Sequence, residues 1–172
     1  MEKKYKLTEE TLEIDGHVLN RIIALRDFGE VKKGDLGGFI EKESNLAHDW
    51  NCWIYHDAVV RDDAMVCGEA KVHGNAKVYG NAEVLGNAEV HGNAIVHGNA
   101  KVEKKSDYIV FKNWWSSGRY FTWTRSNDKW SVGCFYGTGE ELIKKAYNDS
   151  DESGREYERI VRYVESIKSE IK

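Results

Sequence analysis

Residues 53–102 read WIYHDA VVRDDA MVCGEA KVHGNA KVYGNA EVLGNA EVHGNA IVHGNA KV, the same six positions repeated without a break. One position holds Ala at 58, 64, 70, 76, 82, 88, 94 and 100, and another holds Ile or Val at every sixth residue from 54 to 102. A fixed short period decides the fold before any local reading, because one repeat cannot bury its apolar side alone. In A-x-V the two apolar residues are two apart and point to one face of a strand. The Gly-Asn, Asp-Asp or Gly-Glu pair that follows tolerates left-handed backbone angles and turns a corner. Short strands alternating with corners coil the chain with Ala and Val inside. A helix is excluded, since Gly at every sixth residue costs about 1 kcal/mol each time and no i, i+3, i+4 apolar stripe is present. The chain has no proline, which suits an unbroken ladder.

The V-x-G-N-A-x unit resembles the hexapeptide repeat of left-handed parallel β-helix proteins, in which three hexapeptides make one triangular coil. Val72/Ala76, Val78/Ala82, Val84/Ala88 and Val90/Ala94 supply the aliphatic and small positions of that pattern. The resemblance covers about a third of the chain. It implies a mainly β fold and a homotrimer of prisms side by side, but no particular activity. Upstream, KKGDLGGFIE at 32–41 resembles a segment that precedes such repeats in bacteriophage and prophage proteins.

Working outward from the repeat, the Ala slot extrapolates back to Cys52, Leu46 and Ile40, so the coil is expected to begin near Asn45. That places His48 in the Val slot, which is irregular. YKLTEETLEI and HVLNRIIALRDF flank Asp15-Gly16, a hairpin signal. With the Gly34, Gly37 and Gly38 turns, the hairpin forms a cap over the exposed first coil. Three units are expected: a cap at 1–44, the β-helix at 45–102 and a C-terminal module at 103–172.

Positions three repeats apart stack on one face, about 4.8 Å apart. Tyr55, His73 and His91 form one outward column; Arg61, Tyr79 and His97 form the next; Cys67 and Leu85 form the third. The family resemblance supplies two precedents for histidines here, zinc ligands in γ-class carbonic anhydrases and a general base in hexapeptide acyltransferases. The former pattern spaces two ligands by five residues, whereas His91 and His97 are six apart. The latter has a loop interrupting the coil, which this repeat lacks. The columns therefore read first as amphipathic filler at a subunit seam, with no metal ligands assigned.

A net charge of −4 argues against general nucleic-acid binding, which needs a basic stripe. MEKKYKLTEE has no apolar stretch of signal-peptide type, and no apolar run approaches a membrane span, so a cytoplasmic location is expected (the host cytoplasm for a phage protein). Cys52, Cys67 and Cys134 are odd in number and lack CxxC spacing, as expected of free thiols.

After Val102 the character changes. YIVF, RYFTWT and KWSVGCFY read as an antiparallel meander. Two helices follow, one opened by the capping box Thr138 to Glu141 and one by Ser153 to Glu156, with a polar NDSDES loop between them. Tyr157, Ile160, Val161, Val164 and Ile167 share one helix face. The meander concentrates aromatic and guanidinium groups, and strand alternation sets Arg119, Phe121, Trp123 and Arg125 on one face. Aromatic planes stack bases and Arg pairs phosphate, so Trp114, Trp115, Arg119, Phe121, Trp123, Arg125 and Tyr136 are the candidate ligand-binding residues. The same aromatics also suit packing under the helices or at a subunit interface, and Trp130 and Phe135 read as core.

No nucleophile elbow, phosphate loop, zinc spacing or paired catalytic carboxylates appear. No catalytic residue and no cofactor are assigned, and glycines at 133, 137 and 139 give only a weak anion-site signal before a helix. The leading expectation is a trimeric, non-enzymatic small-molecule-binding protein, in its concrete form a phage counter-defence protein that sequesters a nucleotide-type signal. A trimeric adaptor that binds a host protein is the second expectation, and a hexapeptide-type acyltransferase the third.

Overall fold

Asp15 and Gly16 both adopt left-handed backbone angles, φ 53° and 82°, the geometry of a two-residue hairpin turn. In the computed structural model, which describes residues 2–171, they join β1 (Tyr5–Ile14) to β2 (His17–Ala24). β2 pairs antiparallel with β3 (Leu36–Ile40), and β3 runs parallel into the first face of a β-solenoid. Nine two-residue strands follow: β4 (Trp53–Ile54), β5 (Val59–Val60), β6 (Met65–Val66), β7 (Lys71–Val72), β8 (Lys77–Val78), β9 (Glu83–Val84), β10 (Glu89–Val90), β11 (Ile95–Val96) and β12 (Lys101–Val102). They stack as three parallel sheets, β3-β5-β8-β11, β4-β7-β10 and β6-β9-β12. Every residue at the two periodic positions, Ala at one and Ile or Val at the other, is buried, so these positions fill the coil.

The coil starts earlier than the repeat alone indicates. Ile40 pairs with Val60 and Leu46 with Val66, offsets of 20 residues, whereas Trp53 pairs with Lys71 at the regular 18. Ile40 and Leu46 therefore sit opposite the Val slot rather than the Ala slot, and β3 belongs to the first coil. The two extra residues fall between Leu46 and Cys52, so His48 lies in a longer corner and not in the Val slot. Gly37 and Gly38, expected in turns, are in β3. A Cβ on Gly37 would lie 2.5 Å from Ile22 Cγ1, and one on Gly38 would strike the Ala58 carbonyl. Close strand approach is what requires these glycines.

A parallel coil ends in unpaired backbone groups at both edges, and side chains occupy both. At the first coil, Tyr5 donates to the Glu43 and Leu46 carbonyls (2.8 and 2.9 Å). Asn45 donates to the Asp62 and Ala64 carbonyls (3.0 and 2.8 Å). At the last coil, the amides of His91, Ile95 and Lys101 donate to Tyr108 Oη, Thr122 Oγ1 and Ser126 Oγ (3.3, 2.9 and 2.7 Å).

Those last oxygens come from an antiparallel sheet of β13 (Tyr108–Lys112), β14 (Tyr120–Thr124), β15 (Lys129–Val132) and β16 (Phe135–Gly137), in chain order. Alternation along β14 turns Thr122 to the coil and Phe121 and Trp123 to a second core under α1 (Gly139–Asp149) and α2 (Asp151–Ile167). Thr138 and Glu141 form the expected capping box of α1. The second box is not where the sequence placed it. Ser150 caps α2, with Ser153 already inside the helix, and the NDSDES loop reduces to Ser150 alone. Tyr157, Val161 and Val164 are buried as expected, while Ile160 and Ile167 are partly exposed. Among the described residues, no helix is long and apolar enough to cross a membrane.

Candidate functional site: a cleft in the C-terminal module

Asn113, the first residue after β13, is buried and organises the loop that follows it. Its Oδ1 accepts from the Ser116 amide and hydroxyl (2.9 and 3.1 Å), and its Nδ2 donates to Tyr157 Oη at 3.2 Å. This fixes the 113–118 loop against α2 and leaves a cleft of about 620 Å³ between the loop, β15–β16 and the two helices. Tyr157 forms part of its wall and is only 8% exposed. Burial raises the phenol above its ordinary value, so at neutral pH its hydroxyl is protonated, accepts from Asn113 and retains a proton to donate.

Two cations line the cleft, Arg119 on the strand side and Lys145 on α1. Neither side chain forms an ion pair among the described residues. Asp149 is the acid in the lining, and Phe135 and Tyr136 supply aromatic surface. An excess of unpaired positive charge, a buried hydroxyl and ring faces are the groups that suit a small anion carrying a flat group.

The seven residues singled out from sequence divide among different places. Arg119 and Tyr136 line the cleft. Trp115 stands behind it, edge-on to Tyr157 at 5.0 Å. Trp114 points outward, 73% exposed. Phe121 and Trp123, 0% and 1% exposed, are core residues and present no surface to a ligand. The strand face that they share with Arg119 is covered by the helices. Arg125 lies away from the cleft, 3.8 Å from Asp107, whose carbonyl accepts its amide. Asn113, Lys145 and Tyr157 were not picked out from sequence. Lys145 is an ordinary outward helix position, and Tyr157 reads only as one member of an apolar face. The weak anion-site signal before α1 is not supported, since Thr138 and Glu141 already occupy that helix start.

The outward columns of the coil form as spaced. Tyr55 stacks on His73 at 4.7 Å. Arg61 lies over Tyr79 at 4.4 Å, Tyr79 on His97 at 4.1 Å, and His97 on Tyr136 at 4.4 Å. Tyr136 thus joins the cleft to the coil. Burial depresses His73 and His97 below the ordinary histidine value.

A second cluster, His17, Glu41 and Asp62, brings its ligand-type atoms within 4.8 Å of one another. His17 Nδ1 is 2.9 Å from Glu41 and 3.6 Å from Asp62. Glu41 also accepts the Asp62 amide, and Asp62 accepts the Gly80 amide and Arg61. With Arg61 supplying the counter-charge, the cluster fastens the hairpin to the coil.

No family model matches the chain. Over 66 residues, 34% of this chain, it is 39% identical to a protein named uncharacterized acetyltransferase YdcK from Escherichia coli (strain K12). The chain spans 20% of that relative's length, so the likeness is to a part of it.

Proposed function

We propose that this protein binds a small anionic molecule with a flat ring, of nucleotide type, in the cleft beside Arg119, and holds it without transforming it. The observation that carries the reading is the convergence of two unpaired cations, Arg119 and Lys145, on one concave site with a buried phenol in its wall. A guanidinium offers phosphate or carboxylate two parallel donors, and Lys145 adds a point charge from the helix side. Tyr136 or Phe135 then receives the ring. The sequence resemblance to phage-borne coils supports a sequestering role toward a host nucleotide signal, and the hexapeptide repeat supports a homotrimer as the working form. Calorimetry with a nucleotide panel tests the reading. Arg119→Ala and Lys145→Ala are each expected to weaken binding about tenfold or more, the value of one charged hydrogen bond. Absence of any binding by the unaltered protein, or binding indifferent to both substitutions, overturns it.

The acetyltransferase-named relative favours a second reading, acyl transfer on the coil. His91 is the exposed member of the histidine columns and would act as the base, because His97 is enclosed between Tyr79 and Tyr136. Acetyl-CoA binding with turnover lost in His91→Ala is the result this reading requires. A host-protein adaptor, the remaining expectation, would instead depend on exposed Trp114.

A further inference from the structure

The inward slot that holds Ala in every later repeat holds Cys52 in the first, and a lysine with no solvent exposure meets it there. Lys4 Nζ lies 3.1 Å from Cys52 Sγ. The same nitrogen is 2.8 Å from the Cys52 carbonyl and 3.4 Å from those of Asp49 and Trp50, so three carbonyls already satisfy it. The thiol is not needed to hold the lysine, and an Ala, the usual occupant, would fit the slot. Both groups are 0% exposed. Burial pulls Lys4 below its ordinary value and pushes Cys52 above its own. The nitrogen that donates to three carbonyls is the ammonium, and its lowered value eases the proton loss that frees a lone pair for attack on sulfur. The raised thiol value makes oxidation of the sulfur the slow step.

We propose that Lys4 and Cys52 form a reversible sulfur–nitrogen cross-link on exposure to hydrogen peroxide. In the first step the sulfur attacks one peroxide oxygen, the O–O bond breaks, and the products are a sulfenic acid and one water. In the second, the Lys4 amine attacks that sulfur, the N–S bond forms, the S–O bond breaks, and the departing hydroxide leaves as water with a proton from nitrogen. Thiol, amine and one peroxide thus give one sulfenamide and two waters, with the sulfur oxidised by two electrons and the peroxide reduced by two. Sulfenic acids condense with nitrogen in this way where no thiol is closer. Lys4 directly precedes β1, and local opening of that segment provides the access that peroxide requires. The link would tie the first strand to the open end of the coil, and an added thiol would release it by attack on sulfur.

The test uses the full chain carrying Cys67→Ser and Cys134→Ser, which leaves Cys52 as the sole thiol and removes any disulfide. Peroxide is expected to lower the intact mass by about 2 Da, with a peptide map joining residues 4 and 52, and a reductant is expected to restore the original mass. Lys4→Arg keeps the cation without a nucleophilic amine, and adding it should abolish the loss. Cys52→Ala, which gives the slot its usual residue and so keeps the fold, should do the same. An unchanged mass, or stepwise gains of about 16 Da on Cys52 with no joined peptide, overturns the proposal.

Discussion

From Trp50 onward, each corner of the coil turns through one residue with left-handed angles. Six of these corners hold Gly, from Gly68 to Gly98, but the first three of them hold Trp50 (φ 59°), His56 (φ 55°) and Asp62 (φ 57°). All three are less favourable there than Gly, Trp most of all, with Asp and His the better tolerated. His56→Gly is expected to stabilise the protein by about 0.5–1 kcal/mol, and Gly80→Ala to destabilise it by about 1 kcal/mol or more. Gly80 has the added constraint of Gly98 N 3.0 Å from any Cβ. Chemical denaturation at constant m-value checks both. The depressed histidines set a pH dependence. Their folded values lie below the ordinary 6.5, so the unfolded chain binds more protons as pH falls below about 6.5, and stability is lost in that direction. Glu41 and Asp62, also held low by their partners, add to the loss at more acid pH. The melting temperature should therefore decline from about pH 7 to about pH 5, and His73→Phe with His97→Phe should flatten the upper part of that decline.

Among elements, the join between α1 and α2 depends on Ser150. It accepts the Ser153 amide at 3.1 Å and donates its own amide to the Ala146 carbonyl, so it starts one helix and ends the other. Ser150→Ala should cost about 1 kcal/mol, read by thermal or chemical unfolding. The sequence placed this cap at Ser153, three residues late, and Gly154 shows why. Any Cβ there would overlap the Tyr147 ring, so at this position α2 is already packed on α1 and the helix must have begun earlier. Local capping rules cannot see that contact. The box at Thr138 and Glu141 was legible.

For the molecule as a whole, the C-terminal module is attached through edge groups that a further coil would otherwise have paired. Gly98 lies under the Tyr136 ring with no room for a Cβ. Gly98→Val is therefore expected to unseat Tyr136 and loosen the module while leaving the coil folded. Limited proteolysis should then cut near residues 103–107 faster than in the unaltered protein. Ligand binding in the Arg119 cleft should weaken in parallel, since Tyr136 lines it.

The six-residue period alone determined the coil, its Ala and Val core and its outward columns, because spacing two apart on a strand and 18 apart along the axis is a property of the chain itself. Tertiary structure decided where that period is broken. Two extra residues between Leu46 and Cys52 moved the first coil back to β3, a shift visible only through the pairing of Ile40 with Val60. It also decided the cleft. A strand pattern placed Arg119, Phe121 and Trp123 on one face, but the helices that cover the face bury Phe121 and Trp123. Arg119 stays accessible at the strand's end. Its partners in the cleft, Lys145 and Tyr157, lie 26 and 38 positions further along the chain, on elements whose relative placement no local periodicity records.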